Sequence, residues 1–153
     1  MRRKSLNMAT CPVARSLDVI GDWWTLLIVR EAFKGASRFS EFQQGLGLAK
    51  NILSSRLRKM LADGILELRP AAAGGSHLEY HLTHKGIQLR LILIALRQWG
   101  EDNLFVSGEP MTTFVDSHTG QSLKRLRPIR QDGTEVGFSD LVTKLVVAGE
   151  SVD

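Results

Sequence analysis

The sequence has little of what marks secreted, fibrous or membrane-spanning proteins. Its 153 residues include one cysteine, Cys11, and four prolines. A single cysteine cannot form an intramolecular disulfide, which excludes a disulfide-stapled secreted fold. The most apolar run, residues 89–96, is interrupted by Arg90 and is far below the roughly 20 residues that span a bilayer. No apolar segment follows the basic start, residues 1–4, so we expect no signal peptide, no membrane association and a cytoplasmic location.

The excess of positive charge is small and unevenly distributed. Lys and Arg number 20 and Asp and Glu 16, for a net charge of +4. Residues 1–104 carry 15 basic and 9 acidic side chains, whereas residues 105–153 carry 5 and 7. Only the first segment therefore has an electrostatic reason to bind a polyanion. We expect a domain over 1–104 and a C-terminal appendage over 105–153.

Apolar periodicity predicts four helices in the first half of the chain, over residues 12–20, 23–33, 38–44 and 49–62. Asp22 is the expected N-cap of the second helix and Ser37 that of the third.

The fourth helix has one apolar side, predicted from Ile52, Leu53, Leu57, Met60 and Leu61. Its other side contains no acidic residue and consists of Lys50, Asn51, Ser54, Ser55, Arg58 and Lys59. From periodicity alone, this side fits a solvated surface as well as a binding surface.

After Gly64 the period changes to the alternation of strands. Two strands are predicted around Leu66 and Tyr80, with the glycine-rich loop 70–76 between them. Thr83 is the expected N-cap of a long helix that runs to about Asn103. Since that helix is apolar nearly all round, it must be buried on more than one side, and we expect a second subunit to cover it.

The C-terminal appendage has weaker signals. Thr119-Gly120 and Asp132-Gly133 are turn dipeptides and predict two short hairpins. Ser139 is the expected cap of a last helix through Leu145 or Val147. The appendage is thus predicted to be a small β/α structure.

Short helices followed by a hairpin and a long helix are typical of a winged helix-turn-helix. We therefore predict a mainly helical α+β fold with a two-stranded wing, a long dimerisation helix and the C-terminal appendage. The major groove of B-DNA admits one helix, which must present donors rather than acids to phosphates and bases. Residues 49–62 have that composition, and Arg69 and His77 at the strand ends are candidates for phosphate contacts.

Several separated motifs resemble the HxlR-type winged helix-turn-helix transcriptional regulators, which are MarR-like. The resemblance covers roughly residues 8–104 and rests on Cys11-Pro12-Val13, Gly21-Asp22-Trp23-Trp24, Arg38-Phe39-Ser40-Glu41-Phe42, Ile52-Leu53-Ser54-Ser55-Arg56-Leu57, and Glu79-Tyr80-His81-Leu82. It implies a homodimeric bacterial DNA-binding transcriptional regulator whose terminal helices pair the subunits. Ala49 stands where the family commonly has a serine, which removes a side-chain cap.

The resemblance places the recognition helix on 49–62, in the major groove, and the wing on 66–82, against adjacent backbone or the minor groove. The implied partner is double-stranded DNA with a pseudo-palindromic operator. The DNA-binding candidates are Arg38, Lys50, Asn51, Ser54, Ser55, Arg58, Lys59, Arg69 and His77. The dimer-interface candidates are Leu89, Ile92, Leu93, Leu96 and Trp99.

Cys11 has two interpretations. It matches an N-terminal cysteine that senses oxidants or electrophiles in some members of the family, and Pro12 suggests a position near a helix start, where a thiolate is more reactive. The alternative is a small residue retained for packing. Trp23, Trp24 and Trp99 are interpreted as filling the dimer core, with the lining of a small-molecule effector cavity as the alternative.

No cofactor, metal site or enzymatic activity is expected. His77, His81 and His84 lack metal-ligand spacing, and no nucleophile–base pair or carboxylate dyad is present in motif form. Arg56 is ambiguous between the core and DNA, since its stem can lie along apolar surface. The alternative function is a winged-helix module that binds protein instead of DNA, because function belongs to sites and not to folds.

Overall fold

The computed structural model describes residues 5–71 and 77–147. The elements are α1 (Pro12–Ile20), α2 (Trp23–Phe33), α3 (Phe39–Leu46), α4 (Lys50–Ala62), β1 (Leu66–Pro70), β2 (Leu78–Leu82), α5 (His84–Leu104) and a 3-10 turn (Phe138–Asp140). This order confirms the predicted mainly helical winged helix-turn-helix with a two-stranded antiparallel wing. The chain forms two compact units, one ending at Arg97 and one beginning at Gln98.

The core of the first unit lies between α2, α3, α4 and the start of the wing. Its innermost side chains are at most 2% exposed and are Ile28, Val29, Phe42, Leu53, Leu57, Met60, Ile65 and Leu66. The Phe42 ring meets the Tyr80 ring edge-on, with centroids 6.2 Å apart, which joins α3 to β2. Full burial of one such side chain contributes about 1.5–3 kcal/mol. From α4, the core includes Leu53, Leu57 and Met60, so only one side of this helix is buried.

The starts of α2 and α3 use carboxylates as caps. Asp22 accepts hydrogen bonds from the Thr25 N–H at 3.0 Å and the Thr25 hydroxyl at 2.6 Å, which confirms its predicted role. The prediction for Ser37 is wrong. The Glu41 carboxylate accepts the backbone N–H groups of Ser37 at 2.7 Å and Arg38 at 2.9 Å, and α3 starts at Phe39. An ionised oxygen makes a stronger hydrogen bond than a hydroxyl does.

Thr83 joins α5 to the end of the helix-turn-helix. Its hydroxyl accepts the Gly86 N–H at 3.1 Å, as a helix cap does, and donates to the Gly64 carbonyl at 2.6 Å. Gly86 packs so closely on the backbone that a Cβ there would lie 2.2 Å from the Ile65 carbonyl oxygen. The predicted cap is confirmed, and only glycine permits this approach. No helix in the described ranges is long and apolar enough to cross a membrane.

The second unit consists mainly of turns. Single antiparallel bridges join Val115 to Ser122 and Ile129 to Glu135, at the two predicted hairpins. The prediction of a helix after Ser139 is wrong, because only the short 3-10 turn forms and residues 141–147 are irregular and exposed. That stretch contains three valines and a threonine, whose branched Cβ atoms disfavour a helix that has no packing surface.

Gly86 and Gly100, both on α5, provide a test substitution and its control. We expect Gly86→Ala to lower the free energy of unfolding by about 2–4 kcal/mol, because the added methyl overlaps backbone that cannot move away cheaply. A Cβ at Gly100 meets nothing within 4 Å, so Gly100→Ala should be neutral or stabilising by up to about 1 kcal/mol. Urea unfolding followed by circular dichroism measures both. Equal stability of the two variants would contradict this account of the α5 contact.

Candidate nucleic-acid interface

Helix α4 has a buried side and an exposed side. Leu53, Leu57 and Met60 are buried, whereas the exposed side carries Lys50, Asn51, Ser55, Arg58 and Lys59, with Ser54 half-buried beside them. Asn51, Ser55 and Arg58 are spaced i, i+4 and i+7, which places them on one line along the helix. The structure thus gathers the predicted polar face on one surface of α4.

Ile52 was predicted to lie on the apolar side of α4, and this is wrong. It is 40% exposed, because one residue of helix is a rotation of about 100° and carries Ile52 away from the core that holds Leu53. An exposed apolar side chain therefore borders the polar face. Periodicity alone could not place it, since it lies at the edge of the predicted stripe.

The N-terminus of α4 is bare. Ala49 is its N-cap, in an extended conformation and without a side-chain hydrogen bond, as the alanine in place of serine predicts. Gly47 ends α3 in the left-handed region at φ 64°, so the turn between the two helices is short. The first N–H groups of a helix carry partial positive charge, and here no side-chain oxygen of the cap residue occupies them.

Three of the predicted DNA-binding cations have carboxylate partners within the chain. Arg38 Nε lies 2.9 Å from Glu79 Oε1, and Lys59 Nζ lies 2.6 Å from Asp63 Oδ2. Arg69 pairs with Glu67. The cations of these pairs are 58%, 42% and 58% exposed, in the order given, so each can be reached from solvent.

Lys50 and Arg58 differ from these three. Both are exposed, and in the part of the chain that the structure describes neither has a carboxylate within ion-pair distance. Arg58 Nε lies 3.4 Å from the Ser54 carbonyl oxygen, one turn earlier on α4. Among the predicted DNA-binding cations that the structure describes, Lys50 and Arg58 are therefore the lysine and arginine without a carboxylate partner.

Arg56 is a residue whose role the sequence left open. Its Nη1 lies 3.5 Å from Oδ2 of Asp22, the N-cap of α2, and its side chain is 34% exposed. Arg56 therefore fixes α4 against the start of α2 and is not part of the Asn51–Ser55–Arg58 line. No sequence signal reveals this pair, because it joins two separate helices.

The wing has an outward face of charged side chains. Its register pairs Glu67 with His81 and Arg69 with Glu79, and directly opposed residues of an antiparallel pair lie on one face. His77 is exposed next to the start of β2. Of the predicted 70–76 loop, residues 72–76 lie outside the described residues.

The dimer-interface candidates divide into two groups along α5. Leu89 and Leu93 pack against the core of their own chain. Ile92, Leu96 and Trp99 are 37%, 49% and 59% exposed. One side of α5 thus remains apolar and uncovered in a single chain.

The N-terminal candidates lie at the surface. Cys11 is exposed and is the N-cap residue of α1. Trp23 is 75% exposed, with its ring centroid 5.7 Å from that of the half-buried Trp24. A groove of about 240 Å³ between α1 and α5 is lined by aliphatic and basic residues and by Ser16, and not by these tryptophans. No cluster of metal-ligating side chains occurs within residues 5–71 and 77–147.

A helix with an exposed polar face, a short turn before it, and an antiparallel wing after it define a winged helix-turn-helix regulator. Residues 19–107 match the HxlR-like helix-turn-helix family, which is more than half of the chain. The chain therefore belongs to the HxlR-like helix-turn-helix family. Its relatives and its fold are those of transcriptional regulators and not of enzymes.

Three similar proteins illustrate the extent of the match. The uncharacterised HTH-type transcriptional regulator Rv3095 of Mycobacterium tuberculosis is 40% identical over 92 residues, which are 60% of this chain and 58% of that protein. The solved structure of PA1607, provisionally described as a transcription factor, is 48% identical with a TM-score of 0.87, covering 92% of this chain and 99% of that one. The redox regulator HypR in its reduced form is 32% identical with a TM-score of 0.54, covering 61% and 93%.

Most of the second unit, from residue 108 onwards, lies outside the family match, but it is not unique to this chain. Only 8% of the chain lies outside the alignment with PA1607, so that alignment includes most of residues 105–153. The match with Rv3095 covers little more than half of that protein's length.

Glu41 gives the start of α3 a pH dependence. Hydrogen bonds from the Ser37 and Arg38 backbone N–H groups hold the pKa of Glu41 below its ordinary value. Its stabilisation is therefore present above the unfolded pKa of about 4.3 and is lost as the pH falls through the lower folded value. We expect Glu41→Gln to cost about 0.5–1 kcal/mol at neutral pH, a small figure because the group is solvent-screened.

The measurement is urea unfolding of the wild type and the Glu41→Gln variant from neutral pH to about pH 3. The difference between them should shrink on acidification, because the wild-type carboxyl becomes protonated. A difference that grows as the pH falls would contradict this assignment.

Proposed function

We propose that the protein is a homodimeric bacterial transcriptional regulator that binds a pseudo-palindromic operator. Each subunit places the recognition helix, residues 49–62, in a major groove and the wing, residues 66–82, on adjacent backbone or the minor groove. The observation that carries this proposal is the exposed, acid-free side of α4. A helix that enters the major groove must present donors there, and acidic side chains would be repelled by phosphate.

The exposed residues of α4 have separate roles in this proposal. Asn51 suits bidentate recognition of adenine, and Arg58 suits guanine or a phosphate. Ser54 and Ser55 are suited to either a base or a phosphate. Lys50 lies beside the bare N-terminus of α4, where backbone N–H groups and the helix dipole favour a phosphate oxygen.

In this proposal the remaining candidates contact phosphates and do not recognise the base sequence. Arg38, Lys59 and Arg69 would exchange their carboxylate partners for phosphates, and His77 would contact the backbone near the wing tip. Binding that depends on phosphate neutralisation falls steeply with salt.

The dimer is supported by the uncovered side of α5, which carries Ile92, Leu96 and Trp99. Exposed apolar side chains in a contiguous row favour association with another surface. A symmetric dimer would present two α4 helices to half-sites about one helical turn, roughly 34–36 Å, apart or a multiple of it. In this proposal residues 1–104 form the DNA-binding and dimerisation domain and residues 105–153 an appendage.

Asn51 and Lys59 test the two kinds of contact. Asn51→Ala should cost about 1–3 kcal/mol on the specific site and relax base preference at one position, whereas Lys59→Ala should weaken all sequences alike. Selection of bound duplexes from a random pool supplies the site, and titration of specific and random duplexes measures both variants. Equal losses on the two duplexes for Asn51→Ala would overturn its assigned role.

The same selection tests the whole proposal. Absence of binding to any duplex at low salt would contradict it. A stable complex with a partner protein and no nucleic acid would instead favour the alternative, a winged-helix interaction module.

Control by the Cys11 thiol is the second part of the proposal. The thiol is exposed at the start of α1, and the similar protein HypR is a redox regulator. An oxidant would convert the thiol to a sulfenic acid, which then condenses with the Cys11 of the second subunit or with a small thiol, releasing water. A small-molecule effector is the alternative form of control, and the groove between α1 and α5 is its candidate site.

Cys11→Ser is the test of thiol control. Wild-type protein treated with hydrogen peroxide should lose DNA affinity by about ten-fold or more and recover it with dithiothreitol, whereas Cys11→Ser should keep full affinity throughout. Because Cys11 is the single cysteine, mass spectrometry of the treated protein identifies the product. An unchanged oxidant response in the variant would eliminate this role.

A further inference from the structure

The wing has an unusual charge for a segment that lies against DNA. Residues 66–82 contain two acids, Glu67 and Glu79, and one permanently charged base, Arg69. Its formal charge is therefore −1 while His77 and His81 are neutral. Since phosphate contact requires cations, the charges of the wing at neutral pH do not favour the contact that the fold implies.

The ion pairs on the outward face of the wing show which of its charged groups are already compensated. Glu79 Oε1 pairs with Arg38 Nε at 2.9 Å, and Arg69 pairs with Glu67. These four charges compensate one another. His81 Nε2 lies 3.8 Å from the other oxygen of Glu79, Oε2, and its backbone is paired with that of Glu67. His81 therefore lies on this face beside the Glu79 carboxylate.

Charges on the neighbouring elements are engaged elsewhere. Helix α2, which packs against β2, carries Arg30 and Glu31, and Glu31 pairs with both Arg30 and Lys34. In the first turn of α3, the Glu41 carboxylate accepts the backbone N–H groups of Ser37 and Arg38.

The start of α5 is similarly committed. Lys85 Nζ donates to the Asp63 carbonyl at 2.7 Å, and a His84 ring nitrogen lies 3.2 Å from the Gln88 amide. The charge of the wing face therefore depends mainly on its own residues, together with Arg38.

We propose that the wing binds the DNA backbone in a proton-dependent way. Histidine is the side chain whose charge changes between about pH 5 and 8. Protonation of His77 and His81 turns the wing from −1 to +1. Protonated His81 then compensates Glu79, so Arg38 is free to exchange that carboxylate for a phosphate, and His77 donates to the backbone near the wing tip. This inference rests on the proposed DNA-binding function and adds a form of regulation to it.

The experiment measures DNA affinity of the full-length protein at two pH values. A fluorescent duplex of the selected operator is titrated at constant ionic strength with reductant present, at about pH 7.8 and about pH 5.8. We expect wild-type affinity to be about five- to thirty-fold higher at the lower pH, and a random duplex to show a similar gain, because phosphates carry the effect.

Matched controls come from the four histidines of the chain. The double variant His77→Gln/His81→Gln should show less than about a two-fold change between the two pH values, whereas His84→Gln and His118→Gln, which lie outside the wing, should keep the wild-type change. Circular dichroism at both pH values verifies that each variant is folded. A double variant that keeps the full pH dependence would overturn the proposal.

A second measurement uses the acids of the wing at the higher pH. Glu67→Gln and Glu79→Gln each remove one negative charge, so both should bind DNA about two- to five-fold more tightly than the wild type. Weaker binding by both variants would contradict the proposed charge balance. Binding that is indifferent to pH would overturn this inference alone, whereas absence of DNA binding at both pH values would overturn the proposed function as well.

Discussion

The structure depends on the burial of one side of α4. Leu53, Leu57 and Met60 are almost completely removed from solvent by packing on α2, α3 and the start of the wing. A helix held by one apolar stripe must present its remaining surface to water. That surface is the polar, acid-free side on which the proposed recognition of DNA rests. The Arg56–Asp22 pair then fixes the helix against the start of α2.

A second contact determines where the wing and α5 lie. Strand β1 follows α4 after a short turn. The close approach of Gly86 to the Ile65 carbonyl places α5 directly against the start of β1. Thr83 reinforces the contact by bonding both to its own helix and to Gly64. One side of α5 is thereby committed to its own chain, and the apolar side chains Ile92, Leu96 and Trp99 stay exposed.

Much of this arrangement could be predicted from the sequence. The helices, the wing, and the caps Asp22 and Thr83 follow from local rules, because periodicity and capping act over a few residues. The errors have physical reasons. Ser37 is not the cap because α3 starts at Phe39 with Arg38 as its N-cap, and the Glu41 carboxylate accepts the Ser37 and Arg38 N–H groups. The last helix did not form because a run of branched residues had no surface to pack on. Ile52 was misplaced because it lies at the edge of its helix stripe.

The sequence by itself determined the class of fold, the family resemblance, the single thiol and the polar face of residues 49–62. All of these depend on residue identity and short-range order. Only the tertiary structure decided which cations are paired, since Arg38 with Glu79 and Arg56 with Asp22 join residues far apart in the chain. It also brought Glu67, Arg69, Glu79 and His81 onto one face, because strand register depends on how two segments meet and not on either segment alone.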